Sequence, residues 1–79
     1  MLVIVCYDVC DDGRRTRLHR LLEGFGRPVQ RSVFECDLRP AEYSRLRARV
    51  ERVVRVGEDV VRFYLLCEAC VARTDSLGG

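Results

Sequence analysis

Three carboxylates crowd the first thirteen residues, Asp8, Asp11 and Asp12, with no base among them. Immediately downstream, residues 14–34 carry six arginines against Glu23, a net charge of +5. An acidic cluster followed by a basic stretch suits a site that holds a cation beside a polyphosphate. Phosphodiester hydrolysis needs a charge that neutralises the phosphate and something that activates a water. A hard cation such as Mg²⁺, held by one or two carboxylates and otherwise by water and phosphate oxygens, does both. Asp8 is the candidate catalytic and metal-binding residue, because it falls at or just past the end of an apolar run. One carboxylate per chain is thin for this chemistry, and a two-fold axis near Asp8 would supply its copy. The plainer reading is an aspartate that caps a turn. Asp11 and Asp12 read as helix caps rather than as metal ligands.

Arg14, Arg15, Arg17, Arg27 and Arg31 are the candidate phosphate contacts, since they flank the Asp8 turn. The planar guanidinium grips phosphate oxygens in bidentate fashion. A solvated helix face is the competing explanation of the same run. All fourteen basic residues are arginine and none is lysine, a ratio that codon usage largely explains, so the clustering carries the argument. Residues 39–56 hold six further arginines against Glu42 and Glu51, and residues 57–79 return to −2. The overall charge of +2 alone says little about partners.

The elements that must position these groups follow from periodicity. Residues Leu2 to Tyr7 form a β-branched apolar run, read as a central strand. Asp11 or Asp12 then opens a helix whose stripe is Leu18, Leu21, Leu22 and Phe25, stopped by Gly26 and Pro28. Val29 to Leu38 reads as one strand or as two short ones bent near residues 30–32. Pro40 fits the first turn of a second helix with the stripe Leu46, Val50, Val53 and Val54, ended by Gly57. Val60 to Cys67 is another strand. Residues 68–79 read as a frayed end or a short strand completed by a partner chain. With the middle strand doubled, the order is βαββαβ: an α+β, ferredoxin-like sandwich, one antiparallel sheet with two helices on one face, in a single domain over residues 1–79.

A chain this short buries only about 60% of its unfolded surface. Chains below roughly 80 residues usually draw added stability from disulfides, metals or oligomerisation. The five cysteines are odd in number, and Met1–Tyr7 is too short and lacks the basic start of a secretory leader. A reducing cytoplasm with free thiols is therefore expected, and no apolar run reaches membrane-spanning length. Pairing of two copies through the uncovered sheet face is the expected aid.

Among the remaining candidates, Tyr7 and Phe34 are expected in the core rather than stacked on bases. His19 is expected at the surface. Gln30 and Ser32 serve either the bend or a phosphate contact. Cys67 and Cys70 have zinc-like or redox-like spacing but lack two further ligands, and read as ordinary thiols at a strand end. Cys6 and Cys36 fit strand interiors as small apolar residues.

Taken in order, Tyr7-Asp8-Val9, Asp12 with Arg14-Arg15, Phe25-Gly26, the segment Gln30 to Cys36, and Arg62-Phe63-Tyr64 resemble the CRISPR-associated protein 2 family over residues 1–67. The resemblance implies a ferredoxin-like homodimer whose fifth strand is donated to the other subunit. It implies metal-dependent endonuclease activity on RNA or DNA, with Asp8 as the ligand for Mg²⁺ or another divalent metal. It also implies a bridging role, in which the dimer holds duplex DNA and docks the CRISPR integrase (CRISPR-associated protein 1) during spacer acquisition. Residues 68–79 match only loosely, so the exchanged strand and the integrase contact are the weaker expectations. Enzyme and non-catalytic bridge stand as the two main readings, and an unrelated ferredoxin-like RNA-binding module is the third.

Overall fold

The computed structural model describes residues 1–78; Gly79, at the end of the segment expected to fray or to pair, lies outside the described residues. The elements run β1 (Leu2–Asp8), α1 (Asp12–Glu23), β2 (Arg27–Gln30), β3 (Val33–Asp37), α2 (Pro40–Val53), β4 (Val60–Leu66) and α3 (Glu68–Ala72). The strands form one antiparallel sheet in the order β2-β3-β1-β4, the ferredoxin-like arrangement. β1 is the central strand, pairing Val5 with Phe34 on one side and with Phe63 on the other.

Strand alternation divides β1 cleanly. Val3, Val5 and Tyr7 are buried, whereas Leu2, Ile4 and Cys6 are half-buried and Asp8 is exposed. The buried set packs with Phe34 and Cys36 of β3 beneath Leu18 and Leu22 of α1 and Leu46 and Val50 of α2. Full burial of each such aliphatic side chain contributes about 1.5–3 kcal/mol. The opposite face carries Leu2, Ile4 and Cys6 beside Val33 of β3 and Tyr64 and Leu66 of β4, and neither α1 nor α2 covers it.

The helix starts follow local chemistry. Asp11 is the N-cap of α1, its carboxylate accepting from the Arg14 N–H at 2.9 Å. Pro40 opens α2, where the Glu42 carboxylate reaches back to the Arg39 N–H at 2.9 Å. α2 stops at Val53 rather than at Gly57. After the last helical bond, from the Val54 N–H to the Val50 carbonyl, the Arg55 N–H turns to the Asp59 carboxylate instead. Gly57 then takes a left-handed φ of 92° inside that turn.

The middle strand is two strands. Arg31 and Ser32 link β2 to β3, and Ser32 adopts φ 63°, a conformation that costs an L-residue roughly 1–2 kcal/mol. At the other end of β2, a Cβ on Gly26 would lie 2.3 Å from the Glu35 carbonyl oxygen and 2.9 Å from the Cys36 Cα. Only glycine lets the chain leave α1 so close to β3.

The tail begins as a helix, and residues 74–78 beyond it carry no helix or strand. Residues 68–72 make a short helix, its C-cap Arg73 N–H bonded to the Cys70 and Val71 carbonyls. The ferredoxin-like core therefore carries a third helix, and no fifth strand forms within the described residues.

Gly26→Ala is expected to lower stability by about 1–3 kcal/mol, the usual cost of forcing extra volume into a packed site. Urea unfolding measures it, and an unchanged midpoint and slope would contradict the close approach.

Candidate active-site cleft

A cleft opens at the C-terminal end of β1, walled by one side of α1 from Arg15 to Glu23 and by the β2–β3 turn. Tyr7, Asp8, Val9, Arg15, Thr16, His19, Arg20, Glu23, Gln30, Arg31 and Ser32 line it. One backbone bond closes this corner: the Tyr7 N–H donates to the Ser32 carbonyl at 3.1 Å. It draws the β2–β3 turn over the strand end, so that Arg31 lines the same cleft as Asp8. Because Tyr7 points into the core, Asp8 must point away from it.

Arg15 is held in place rather than free to swing. Its Nη1 donates to the Val9 carbonyl at 3.1 Å, and its Nη2 donates to the Asp12 carboxylate. His19 is half-buried, not a plain surface residue. Its Nδ1 sits 3.4 Å from the Tyr7 hydroxyl and its Nε2 lies 3.8 Å from the Glu23 carboxylate. The ring meets Phe34 edge-on at 5.1 Å. Burial pushes the Tyr7 phenol above its ordinary value, against the opposing pull of the Ser32 hydrogen bond and the Arg15 charge. Tyr7 and Phe34 are buried core residues, as expected.

The five arginines expected at phosphate part company. Arg15 and Arg31 line the cleft, and Arg20, passed over in the sequence, joins them. Arg14 does not. Its Nε and Nη2 donate to the two Asp59 carboxylate oxygens at 2.8 and 3.1 Å, and the Asp59 side chain is closed off from solvent. This fork ties the start of α1 to the turn after α2, so Arg14 reads as a structural clamp. Arg27 lies away from the cleft, 3.6 Å from Glu35. Arg17 is exposed on α1, also outside the cleft, with no carboxylate partner among the described residues. Asp59 had no signal in the sequence, since it stands 45 residues from Arg14 in an ordinary turn.

Asp8 differs from its acidic neighbours. Asp11 caps α1 and Asp12 pairs with Arg15, while the Asp8 carboxylate has no hydrogen-bond or ion-pair partner among the described residues. No group of three or more histidine, cysteine, aspartate or glutamate side chains among those residues is arranged to hold a metal. An exposed, unpartnered carboxylate is a suitable oxygen ligand for Mg²⁺, which keeps most of its waters. One chain supplies one such ligand.

The sheet order and the helix placement define a ferredoxin-like α+β domain, with an acid-and-arginine cleft at the end of its first strand. The family profile "CRISPR associated protein Cas2" matches residues 1–74. The chain is 39% identical over 79 residues to the CRISPR-associated endoribonuclease Cas2 1 of Chloroflexus aurantiacus, covering 99% of this chain and 85% of that one. Its structure matches Cas2 of Streptococcus pyogenes with a TM-score of 0.84 at 35% identity, covering 99% of this chain and all of that one. It also matches a chain of a partial Cas6-RT-Cas1–Cas2 complex with a TM-score of 0.83 at 30% identity, over 96% and 83% of the two chains. The protein belongs to the CRISPR-associated protein Cas2 family. Among the described residues no helix is long and apolar enough to cross a membrane.

The clamp carries a pH prediction. Arg14, and then the Arg55 backbone N–H, hold the Asp59 carboxyl below the ordinary aspartate range. A depressed folded-state pKa adds stability that is present above the unfolded value of about 3.9 and is lost as pH falls through the folded value. Asp59→Asn is therefore expected to lower Tm near neutral pH, with the gap to wild type closing as the solution is acidified below roughly pH 4. A gap that stayed constant down to full acid unfolding would show that the carboxylate charge is not what matters.

Proposed function

We propose that the protein is a metal-dependent endonuclease acting on RNA or DNA phosphodiesters in CRISPR adaptation, with Asp8 holding Mg²⁺ at the interface of a homodimer. The observation that carries this reading is the exposed Asp8 carboxylate at the end of β1, without a partner among the described residues, beside the cleft arginines Arg15 and Arg31. The relatives named endoribonucleases support the reaction class. The bare sheet face supports the dimer: Ile4, Cys6, Val33, Tyr64 and Leu66 give it an apolar share, interrupted by Glu35 and Arg62, on the face that ends at Asp8. A second copy on that face would remove it from water and bring a second carboxylate near the first.

In this mechanism the bound cation would neutralise the scissile phosphate and lower the pKa of a water. Asp8 contributes the ligand oxygen and, paired with its copy, a site whose negative charge favours a divalent ion. Arg15, fixed by the Val9 carbonyl and Asp12, presents its remaining N–H groups to phosphate oxygens. Arg31 and Arg20 approach the strand end from the opposite walls and hold the backbone in register. Arg17 and Arg27 extend the phosphate track outside the cleft.

A second reading has its own observation in favour. The solved assembly that names Cas1 beside Cas2 contains a chain of this fold, and a single ligand carboxylate is a weak catalytic endowment. In that reading the homodimer binds the backbone of duplex DNA and docks the CRISPR integrase, with no chemistry of its own.

Purified protein incubated with RNA and with duplex DNA, with and without Mg²⁺, distinguishes the two. The enzyme reading expects Mg²⁺-dependent cleavage that Asp8→Asn lowers at least about 100-fold, the scale of losing one charge-stabilising group; equal cleavage by both proteins would overturn it. Duplex binding is expected to weaken with salt at a log–log slope of about −0.9 per phosphate neutralised. The double variant Arg15→Ala, Arg31→Ala should flatten that slope by about 2. An unchanged slope would remove those arginines from the interface.

A further inference from the structure

Cys67 and Cys70 lie at the opposite end of β1 from Asp8, where β4 runs into α3. Their spacing is zinc-like or redox-like, and by sequence they are two ordinary thiols at a strand end. The short helix changes that, because Cys67 is the N-cap of α3 and Cys70 lies three residues on, across its first turn. Their sulfurs are 3.4 Å apart, within hydrogen-bond contact of one another. Both residues are exposed. The remaining thiols are isolated or shielded: Cys10 is exposed without a cysteine partner, Cys6 is half-buried and Cys36 is buried.

We propose that Cys67 and Cys70 form a redox-active dithiol, closed reversibly to a disulfide by exchange with a small-molecule disulfide of the glutathione class. Cys67 is the attacking sulfur. Its thiolate bonds to one sulfur of the oxidant as that S–S bond breaks, and the departing thiolate takes up a proton. The Cys70 thiol then loses its proton, and the Cys70 sulfur attacks the Cys67 sulfur and expels the second small thiolate. Two protein thiols become one disulfide, one small disulfide becomes two thiols, and two electrons pass to the oxidant.

The geometry carries the pairing of the two sulfurs, and the order of attack follows from their chemistry. Bond formation asks the sulfurs to close from 3.4 Å to about 2.05 Å, a movement that side-chain rotation on an exposed turn can supply. The backbone N–H of Cys70, and then its thiol, lower the Cys67 thiol below its ordinary value, while the same contact raises Cys70. The lower member is the better-populated thiolate and so the nucleophile. The ring closed by a disulfide here spans four residues, so it restrains the unfolded chain only weakly. An exposed bond of that kind is reducible rather than structural, which suits a thiol pair in a reducing compartment. Closure would lock the first turn of α3, which with Val71 and Ala72 walls a groove against Met1, Leu2 and Leu66. The redox state would thereby set the rigidity of that edge of the sheet.

The test uses the intact protein, reduced and then equilibrated in glutathione redox buffers of increasing oxidising poise. Remaining thiols are trapped by alkylation, and tryptic fragments are weighed. Both cysteines fall in the single fragment Phe63–Arg73. The expected result is loss of two hydrogens from that fragment at a poise where Cys10 still alkylates. Cys70→Ser should accumulate one glutathione on Cys67, whereas Cys67→Ser should leave Cys70 reacting no faster than Cys10. Since both side chains are exposed, each single variant should keep the wild-type urea midpoint. Two free thiols in Phe63–Arg73 at a poise that modifies Cys10, or equal adduct rates in the two single variants, would overturn the proposal.

Discussion

The sheet is covered on one face only, and most of the molecule follows from that. With helices on a single side, period-two alternation sends Val3, Val5 and Tyr7 into the core and Leu2, Ile4, Cys6 and Asp8 out of it. A slip of one residue would bury Asp8 and expose Tyr7. The core's demand for Tyr7 is thus what holds the carboxylate outward at the strand end. The Tyr7 N–H bond to Ser32 then fixes the wall that faces it, at the cost of a left-handed backbone at a non-glycine residue.

A run of arginines in sequence is not a run of free cations in space. Two adjacent members of the first cluster, Arg14 and Arg15, face different partners because they stand about 100° apart around α1. Arg14 reaches the turn after α2 and binds Asp59; Arg15 reaches the end of β1. The first interaction is internal and bidentate, and it leaves the Arg14 side chain only 14% exposed against 46% for Arg15. The second uses part of the fork and leaves the rest toward the cleft. Counting charges along the chain overstates the cationic surface and cannot tell the clamp from the contact.

What was legible in the sequence follows the range of the interactions. β1, α1, α2 and β4 are set by local periodicity, and Asp11, Pro40 and Glu42 by local capping, so each could be read from neighbouring residues. The division of the middle strand turns on Ser32, whose left-handed φ accompanies a bond from the Tyr7 N–H across the sheet and has no glycine to announce it. Asp59 is invisible because its role depends on a residue 45 positions away. His19 looked like a surface residue beside the Leu18 stripe. Its contacts to Tyr7 and Phe34 exist only once β1 and β3 pair beneath α1. α3 was missed because five residues give no helical period to read, and with it went the convergence of Cys67 and Cys70.

The bare face and the lone carboxylate are two aspects of one incompleteness. A chain of this size leaves a large share of its apolar surface in water, and part of that share, including Tyr64 and Val60, lies on the face whose edge carries Asp8. On the proposed dimer, covering Ile4, Cys6 and Val33 would draw two Asp8 side chains together, and like charges at short range oppose that approach. A divalent cation between them reverses the sign, so assembly and metal binding would favour one another by linkage. In that dimer the arginines walling the cleft would moderate the same repulsion when no cation is bound. The physical logic therefore runs from the uncovered sheet to the paired site, with the chemistry as a consequence of how a small domain completes its core.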